Sequence, residues 1–394
     1  MLASSSTTQV VNGKTGLRAR GVSPAKPATV KNTRTMHKLF KKKHGNPLTV
    51  DALPATTTTT LAVEPSTYSR RFVGDNTPAL PQGTTLKLKQ AVCYLPHPDK
   101  VHYGGEDAHF ISDVYGGALG VADGVGGWQE SGVNPADYSR MFMRMACAYL
   151  EGTEHFAQDG MDRSSAPFID PRGALNAAHQ TTKVPGSATA CVMQLDQERQ
   201  TLEAANLGDS GFVVIRSGKM VAKSKPLQHY FDCPLQFGAF PEFVEATDTA
   251  DMADTYSIPL APGDVVIAGS DGLWDNVFES EILALAPRST DDVQRAADSI
   301  ATLARQHAGD NDFPSPYTRE ALSQGLDLPW WEKLVGATFK GGRFQLKQLT
   351  GGKMDDITVL IAYVETAQAA PPAPASPQAA VPGDGPAGEA PAKA

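Results

Sequence analysis

The chain has 394 residues, 41% of them hydrophobic and 7% aromatic, a composition that suits a globular core of one large domain or two ordinary ones. A formal net charge of -8 and a pI near 5.6 exclude a broad nucleic-acid footprint, and no apolar run approaches the roughly 18 residues of a membrane span. Four cysteines (Cys93, Cys147, Cys191, Cys233) with no Cys-x-x-Cys pair exclude a thiolate zinc site and a disulfide framework, and fit free thiols in a reducing compartment.

Residues 1–50 carry seven Lys and three Arg and no Asp or Glu, with many Ser, Thr and Ala and no apolar stretch. That is the composition of an organellar transit peptide rather than a secretory signal. The uncharged Ser/Thr start leans toward chloroplast, while Arg18, Arg20 and the later basic run are compatible with mitochondrion; a disordered basic arm is the bland alternative. Thr56 to Thr60 is low-complexity linker. About residues 1–65 are therefore set aside as transit peptide and linker.

Leu86 to Tyr94 alternates apolar and polar residues and reads as a strand. Gly104 to Ile111 brings Glu106 and Asp107 into another. Ala118 to Ala122 is a third, ending in Asp123-Gly124, where glycine lets the backbone come close to whatever Asp123 holds. Asn134-Pro135 reads as N-cap and first helical position of a helix running to about Glu151, with Tyr138, Met141, Phe142, Met145 and Tyr149 on one core face. Residues 173–182 read as a shorter helix. Ser187 to Asp196 and Thr201 to Leu207 form a hairpin, and Phe212 to Arg216 runs into a Ser217-Gly218-Lys219 turn. Such hairpins argue for antiparallel sheet rather than alternating strand and helix.

Val265 to Ser270 repeats the grammar of the earlier mouth, closed by Asp271-Gly272 with Trp274 and Asp275 in the following turn. Asp291-Asp292 opens a long helix to about His307, with acids at its positive end. Residues 309–350 are a polar insertion with Pro316-Tyr317 and Pro329-Trp330-Trp331. Gly351 to Asp356 leads into a closing strand, Ile357 to Val364, and from about 366 the chain is an Ala/Pro/Gly tail too poor in apolar residues to fold.

The acids at strand mouths are Glu106, Asp107, Asp123, Asp209, Asp271, Asp355 and Asp356. Two unit charges about 4 Å apart repel by roughly 4 kcal/mol at an effective dielectric near 20, so convergence of these acids requires protonation or bound cations. All-oxygen donors suit Mg²⁺ or Mn²⁺, and paired ions of that kind serve phosphoryl displacement.

The segments Gly105-Glu106-Asp107-Ala108, Val121-Ala122-Asp123-Gly124-Val125-Gly126-Gly127-Trp128, Gly186-Ser187-Ala188-Thr189-Ala190, Asn206-Leu207-Gly208-Asp209-Ser210-Gly211, Ser270-Asp271-Gly272-Leu273-Trp274-Asp275-Asn276 and Gly351-Gly352-Lys353-Met354-Asp355-Asp356-Ile357-Thr358-Val359 stand in one order over about residues 85–365. Together they resemble the metal-dependent protein phosphatases (the PPM, or protein phosphatase 2C, family), in the variant of its organellar branch. The resemblance implies an α+β fold: a central sandwich of two antiparallel sheets with helices packed outside. It implies a serine/threonine protein phosphatase acting on phosphoprotein substrates through a hydroxide bridging two Mn²⁺ or Mg²⁺ ions. Asp123 would bridge both ions, the Gly124 carbonyl and Asp271 would bind one each, Asp355 would complete the shell, and Glu106 and Asp107 would reach them directly or through water. Asp209 matches the position of a third, weaker ion in some members.

Two positions depart from the family pattern. Val125 stands where many members carry a His proposed as leaving-group acid, and His102 stands where many carry a phosphate-gripping Arg. His102 or His109, both near Glu106-Asp107 in the chain, is the candidate to take over part of these roles. The rival from another class is a catalytically impaired phosphatase fold that binds phosphoproteins. A trypsin-like reading of Ala178-His179 and Gly208-Asp209-Ser210-Gly211 fails because His and Ser lie too close in the chain, and a P-loop enzyme fails for want of its motif.

Overall fold

The computed structural model describes residues 70–71, 80–152, 169–240, 247–329, 332–333, 338–340, 343–345 and 349–369. The transit-peptide, Thr56–Thr60 and Trp330-Trp331 readings, and all but the first residues of the expected tail, lie outside them.

Two antiparallel sheets carry the fold, as the hairpin pattern suggested. In the first, the order is β1 (Arg70–Arg71), β13 (Asp254–Pro259), β7 (Thr201–Leu207), β6 (Ala190–Asp196), β4 (Ala118–Ala122) and β3 (Ala108–Ser112), with β1 alone joining in parallel. In the second, it is β2 (Thr84–Leu95), β17 (Ile357–Gln368), β14 (Val265–Gly269), β8 (Gly211–Arg216) and β9 (Lys219–Lys223). Short pairs join β5 (Gly186–Ala188) to β12 (Phe237–Ala239), β10 (Gln228–Tyr230) to β11 (Cys233–Pro234), and β15 (Thr338–Lys340) to β16 (Arg343–Gln345).

The sheets face each other across Leu86, Leu88, Leu119, Val121, Met193, Phe212, Val266 and Leu360. The alternate residues of the same strands are buried too, under helices, so β4, β6 and β14 are buried along their whole length, and β4 and β14 read as continuous apolar runs. Over the first sheet lie α1 (Pro135–Leu150) and α2 (Pro171–Thr181), through Tyr138, Phe142, Ala146 and Leu175. Over the second lie α4 (Glu279–Leu285) and α5 (Val293–Ala308), through Ile282, Ala297, Ile300 and Ala304. Helix α1 starts where Asn134 accepts the Ala136 amide at 3.2 Å, with Pro135 at the first helical position. Its buried methionine is Met143; Met141 and Met145 are half-buried at the edge of the stripe. Each fully buried aromatic such as Phe142 contributes on the order of 3 kcal/mol by its burial.

Three elements differ from the sequence reading. Strand β17 continues past Val364 to Gln368 because β2 pairs with it residue by residue as far as Thr84, so ladder bonds rather than apolar content carry the strand beyond the expected boundary. Asp271 opens a one-turn helix, α3 (Asp271–Trp274), instead of closing a plain turn. Within the 309–350 insertion, α6 (Pro316–Ser323) is capped by Ser315, whose hydroxyl accepts the Thr318 amide at 3.2 Å.

The antiparallel register explains why distant acids meet. The end of β4 pairs with the start of β3 (Ala122 opposite Ala108), and the end of β14 pairs near the starts of β8 and β17 (Gly269 opposite Gly211 and Val359). Asp107, Asp123, Asp209, Asp271 and Asp355 therefore all emerge at one end of the sandwich.

Candidate active site

The Asp123 mouth is fastened by the Gly186–Ala190 segment. The Asp123 amide donates to Thr189 Oγ1 (3.2 Å), the Thr189 amide donates to the Asp123 carbonyl (3.0 Å), and Val125 N donates to the Ser187 carbonyl (3.0 Å). Trp128 Nε1 closes the loop on Ser187 Oγ at 2.7 Å. Gly124 is required by close approach: a Cβ there would lie 2.6 Å from the Glu106 carbonyl oxygen. The Asp271 mouth uses glycine the same way, since a Cβ on Gly272 would lie 1.9 Å from the Asp356 carbonyl oxygen.

The remaining acids are placed by specific partners. Asp107 is buried and its Oδ2 accepts Ser270 Oγ (2.6 Å) and Thr358 Oγ1 (2.7 Å), which ties the two sheets together. Glu106 is fully buried, takes the Lys100 ammonium at 2.5 Å and the Tyr103 hydroxyl at 2.9 Å, and also contacts Gln129. Asp356 has a bracing role: it accepts the amides of Glu106 (2.7 Å) and His97 (2.6 Å). Arg140 of α1 donates to the carbonyls of Tyr103, Gly104 and Gly105 and fixes the loop that presents Glu106.

The electrostatics register the crowding. Burial, then the charges of Asp271, Asp107, Asp355 and Asp209, push Asp123 well above the usual carboxylate range. Burial and Asp356 do the same to Asp107. Asp209 is pushed up to about 7 by burial and Asp271, and Asp355 to about 6 by burial and Asp271. Asp271 goes the other way: burial would raise it, but the Lys353 ammonium holds it low.

These acids fit hard divalent cations. Oδ1 of Asp107, Asp209 and Asp271 is buried in each case without a hydrogen-bond partner, and an unpartnered buried carboxylate oxygen is costly unless a cation meets it. All donors are oxygen, as Mg²⁺ and Mn²⁺ prefer. Among the described residues, no three such side chains stand at closed ion-ligand spacing. Among the described residues the ammoniums of two lysines stand beside these acids, Lys100 near Glu106, Asp355 and Asp356 and Lys353 near Asp271.

Those two lysines and Arg140 are the site residues that sequence reasoning passed over. Lys100 lies two residues from His102, the residue at the phosphate-gripping position of the family pattern. The His102 ring is exposed, sits 3.1 Å from the Asp99 carbonyl through Nδ1 and packs edge-on against Tyr103. His109 is half-buried against Tyr94, and burial lowers its pKa. Among the described residues neither imidazole hydrogen-bonds a site acid. Ser210 is buried and bonded to Thr189 Oγ1 (2.8 Å), whereas His179 bonds Thr247 and the Gly238 carbonyl, so Ser210 and His179 form no dyad.

A family model described as stage II sporulation protein E (SpoIIE) matches residues 153–313. "Probable protein phosphatase 2C 26" of Arabidopsis thaliana is 38% identical over 280 residues, spanning 71% of this chain and 84% of that relative. The "Protein phosphatase PTC7 homolog" of Homo sapiens is 35% identical over 294 residues, spanning 70% and 82% respectively. A solved structure of the photosystem II phosphatase PBCP is 36% identical, with a TM-score of 0.58 over 73% of this chain and 100% of that one.

Proposed function

The chain belongs to the metal-dependent protein phosphatases of the 2C family and is a serine/threonine protein phosphatase, and on that premise we propose that its clustered acids hold a pair of Mn²⁺ or Mg²⁺ ions at the sandwich end. The single observation that carries this reading is the set of buried, unpartnered Oδ1 atoms on Asp107, Asp209 and Asp271 around an Asp123 that burial and its acidic neighbours push toward protonation. Ions bound there would lower the pKa of a water and neutralise charge on the phosphoryl group.

The chain's own residues supply orientation. Asp123, which feels the charges of Asp271 and Asp107 from the two sheets, would hold the ions together with the Gly124 carbonyl, Asp271 and Asp355, and Glu106 and Asp107 would reach them directly or through water. Asp107 keeps one oxygen on Ser270 and Thr358, leaving Oδ1 for an ion or its water. Lys100, 21% exposed at the mouth, is the cation we assign to substrate phosphate in place of His102. An ammonium serves phosphate as a point charge where a guanidinium would grip it bidentately.

The location we propose is the chloroplast. The acid-free basic segment 1–50 supports an organelle, and similarity to a photosystem II phosphatase favours thylakoid phosphoproteins as substrates. No described helix is long and apolar enough to cross a membrane. The test is release of phosphate from a phosphothreonine peptide by the full chain with Mn²⁺ or with chelator. Turnover that requires the ion supports the reading; equal turnover in chelator overturns the ion site. A fluorescent fusion of residues 1–65 that fails to enter chloroplasts overturns the location.

A further inference from the structure

Behind Asp271 lies a closed charge cluster that the phosphatase reading does not use. Lys353 Nζ sits 2.6 Å from Asp271 Oδ2, 2.9 Å from Asp275 Oδ2 and 3.2 Å from Asp232 Oδ1. An ammonium has three N–H donors, and here three carboxylates take them, two from the ends of α3 and one from the β10–β11 hairpin.

The lysine is held from both sides. Asn276 Oδ1 accepts the Lys353 amide at 2.9 Å, and Asn276 Nδ2 donates to the Lys353 carbonyl at 2.8 Å, so the backbone cannot drift from α3. The Tyr317 ring of α6 covers the ammonium at 5.3 Å, within reach of a cation–π attraction. Tyr317 also donates its hydroxyl to Asp232 Oδ2 (3.3 Å) and its amide to the Asp275 carbonyl (3.1 Å). Asp232 is delivered by the β10–β11 hairpin, in a left-handed conformation at φ 60°. Here the insertion gains a role: α6 is the lid of this cage.

We propose that Lys353 is a built-in cation that fills the space between Asp271 and Asp275 where a further divalent ion would have to sit. The inference rests on the ion pair proposed at Asp123. Asp271 is then shared by its two oxygens: Oδ2 is spent on the lysine, and Oδ1, buried and without a partner, is left for an ion on the Asp123 side. Lys353 is thus a positioning residue that sets how Asp271 is presented and how many ions the chain takes. A divalent ion needs oxygens at roughly 2.0–2.2 Å in a near-octahedral shell, which the ammonium denies it. Exchange of the lysine for a neutral residue leaves those acids, with Asp209 beside them, uncompensated.

The test counts bound Mn²⁺ per full-length chain by equilibrium titration, for the wild type, Lys353→Gln and Asp275→Asn. The expected result is one more ion per chain in Lys353→Gln than in the wild type, and the wild-type number in Asp275→Asn. An unchanged count in a folded Lys353→Gln, or one ion fewer in Asp275→Asn, overturns the proposal. Should Lys353→Gln fail to fold by circular dichroism, the Asp275→Asn count decides alone. A wild-type chain that binds no Mn²⁺ overturns the ion pair at Asp123 and this inference with it, whereas an ion-loaded wild type from which Asp275→Asn loses one overturns this inference only.

Discussion

The two Asp-Gly mouths look alike in sequence and carry opposite charge behaviour. Asp123 ends a strand of the first sheet, its backbone tied down by Thr189 and Ser187, and among other acids its carboxyl is driven toward protonation. Asp271 follows a strand of the second sheet, opens α3, and is held ionised by Lys353 at 2.6 Å. A shared dipeptide therefore specifies close backbone approach, while the charge state is set by neighbours from elsewhere in the chain. One carboxylate is compensated from within; the other depends on something supplied from outside.

The largest expected effect breaks that contrast at its source. Asp123→Asn should cut phosphopeptide turnover roughly a thousandfold, as loss of several kcal/mol of transition-state charge stabilisation gives at about 1.4 kcal/mol per tenfold. In chelator the same variant should melt higher than the wild type, because a buried charge that burial and neighbours oppose has been removed. Asp271→Asn should melt lower in chelator, because Lys353 loses its nearest counter-charge. Thermal melts in which both variants shift in the same direction would erase the proposed difference between the mouths.

Much of this site could be read from the sequence because its acids sit where apolar runs stop. Ala118 to Ala122 and Val265 to Gly269 are buried on both faces and therefore unbroken, and Asn134-Pro135 marks its helix by local capping chemistry alone. The two lysines were not legible. Lys100 meets Asp355 and Asp356, and Lys353 meets Asp232 and Asp275, only through tertiary contacts between distant segments. No local pattern encodes such a pairing. The same holds for Gln368, whose place in β17 depends on a partner at Thr84.

A smaller effect follows from pH. Asp355, raised to about 6, and Asp209, raised to about 7, have folded-state values above those of the unfolded chain, near 4 for aspartate. A raised carboxyl stabilises fully below the unfolded value, and that stability is lost as pH rises through the folded value. In chelator the melting temperature should therefore fall as pH goes from about 5 to about 8, and saturating Mn²⁺ should flatten the fall. Asp271 contributes with the opposite sign, its stability being lost as pH drops below the usual aspartate range. A melting temperature in chelator that is level across this window would mean that the acids do not burden one another as their placement requires.

The smallest effect tests whether the Asp123 mouth is positioned by its backbone ties or by its cations. Thr189 Oγ1 accepts the Asp123 amide and pairs with Ser210 Oγ at 2.8 Å, and Thr189 is 1% exposed. Thr189→Ala leaves both groups without a partner, at a cost of about 1–3 kcal/mol, read as a lower melting temperature. Thr189→Ser keeps the hydroxyl and should recover most of that loss. If bound ions alone fixed Asp123, saturating Mn²⁺ would restore wild-type turnover to Thr189→Ala. If the backbone ties fix it, the variant should need more Mn²⁺ for half-maximal turnover and Thr189→Ser should not, because a carboxylate on a loosened turn must be ordered each time an ion binds.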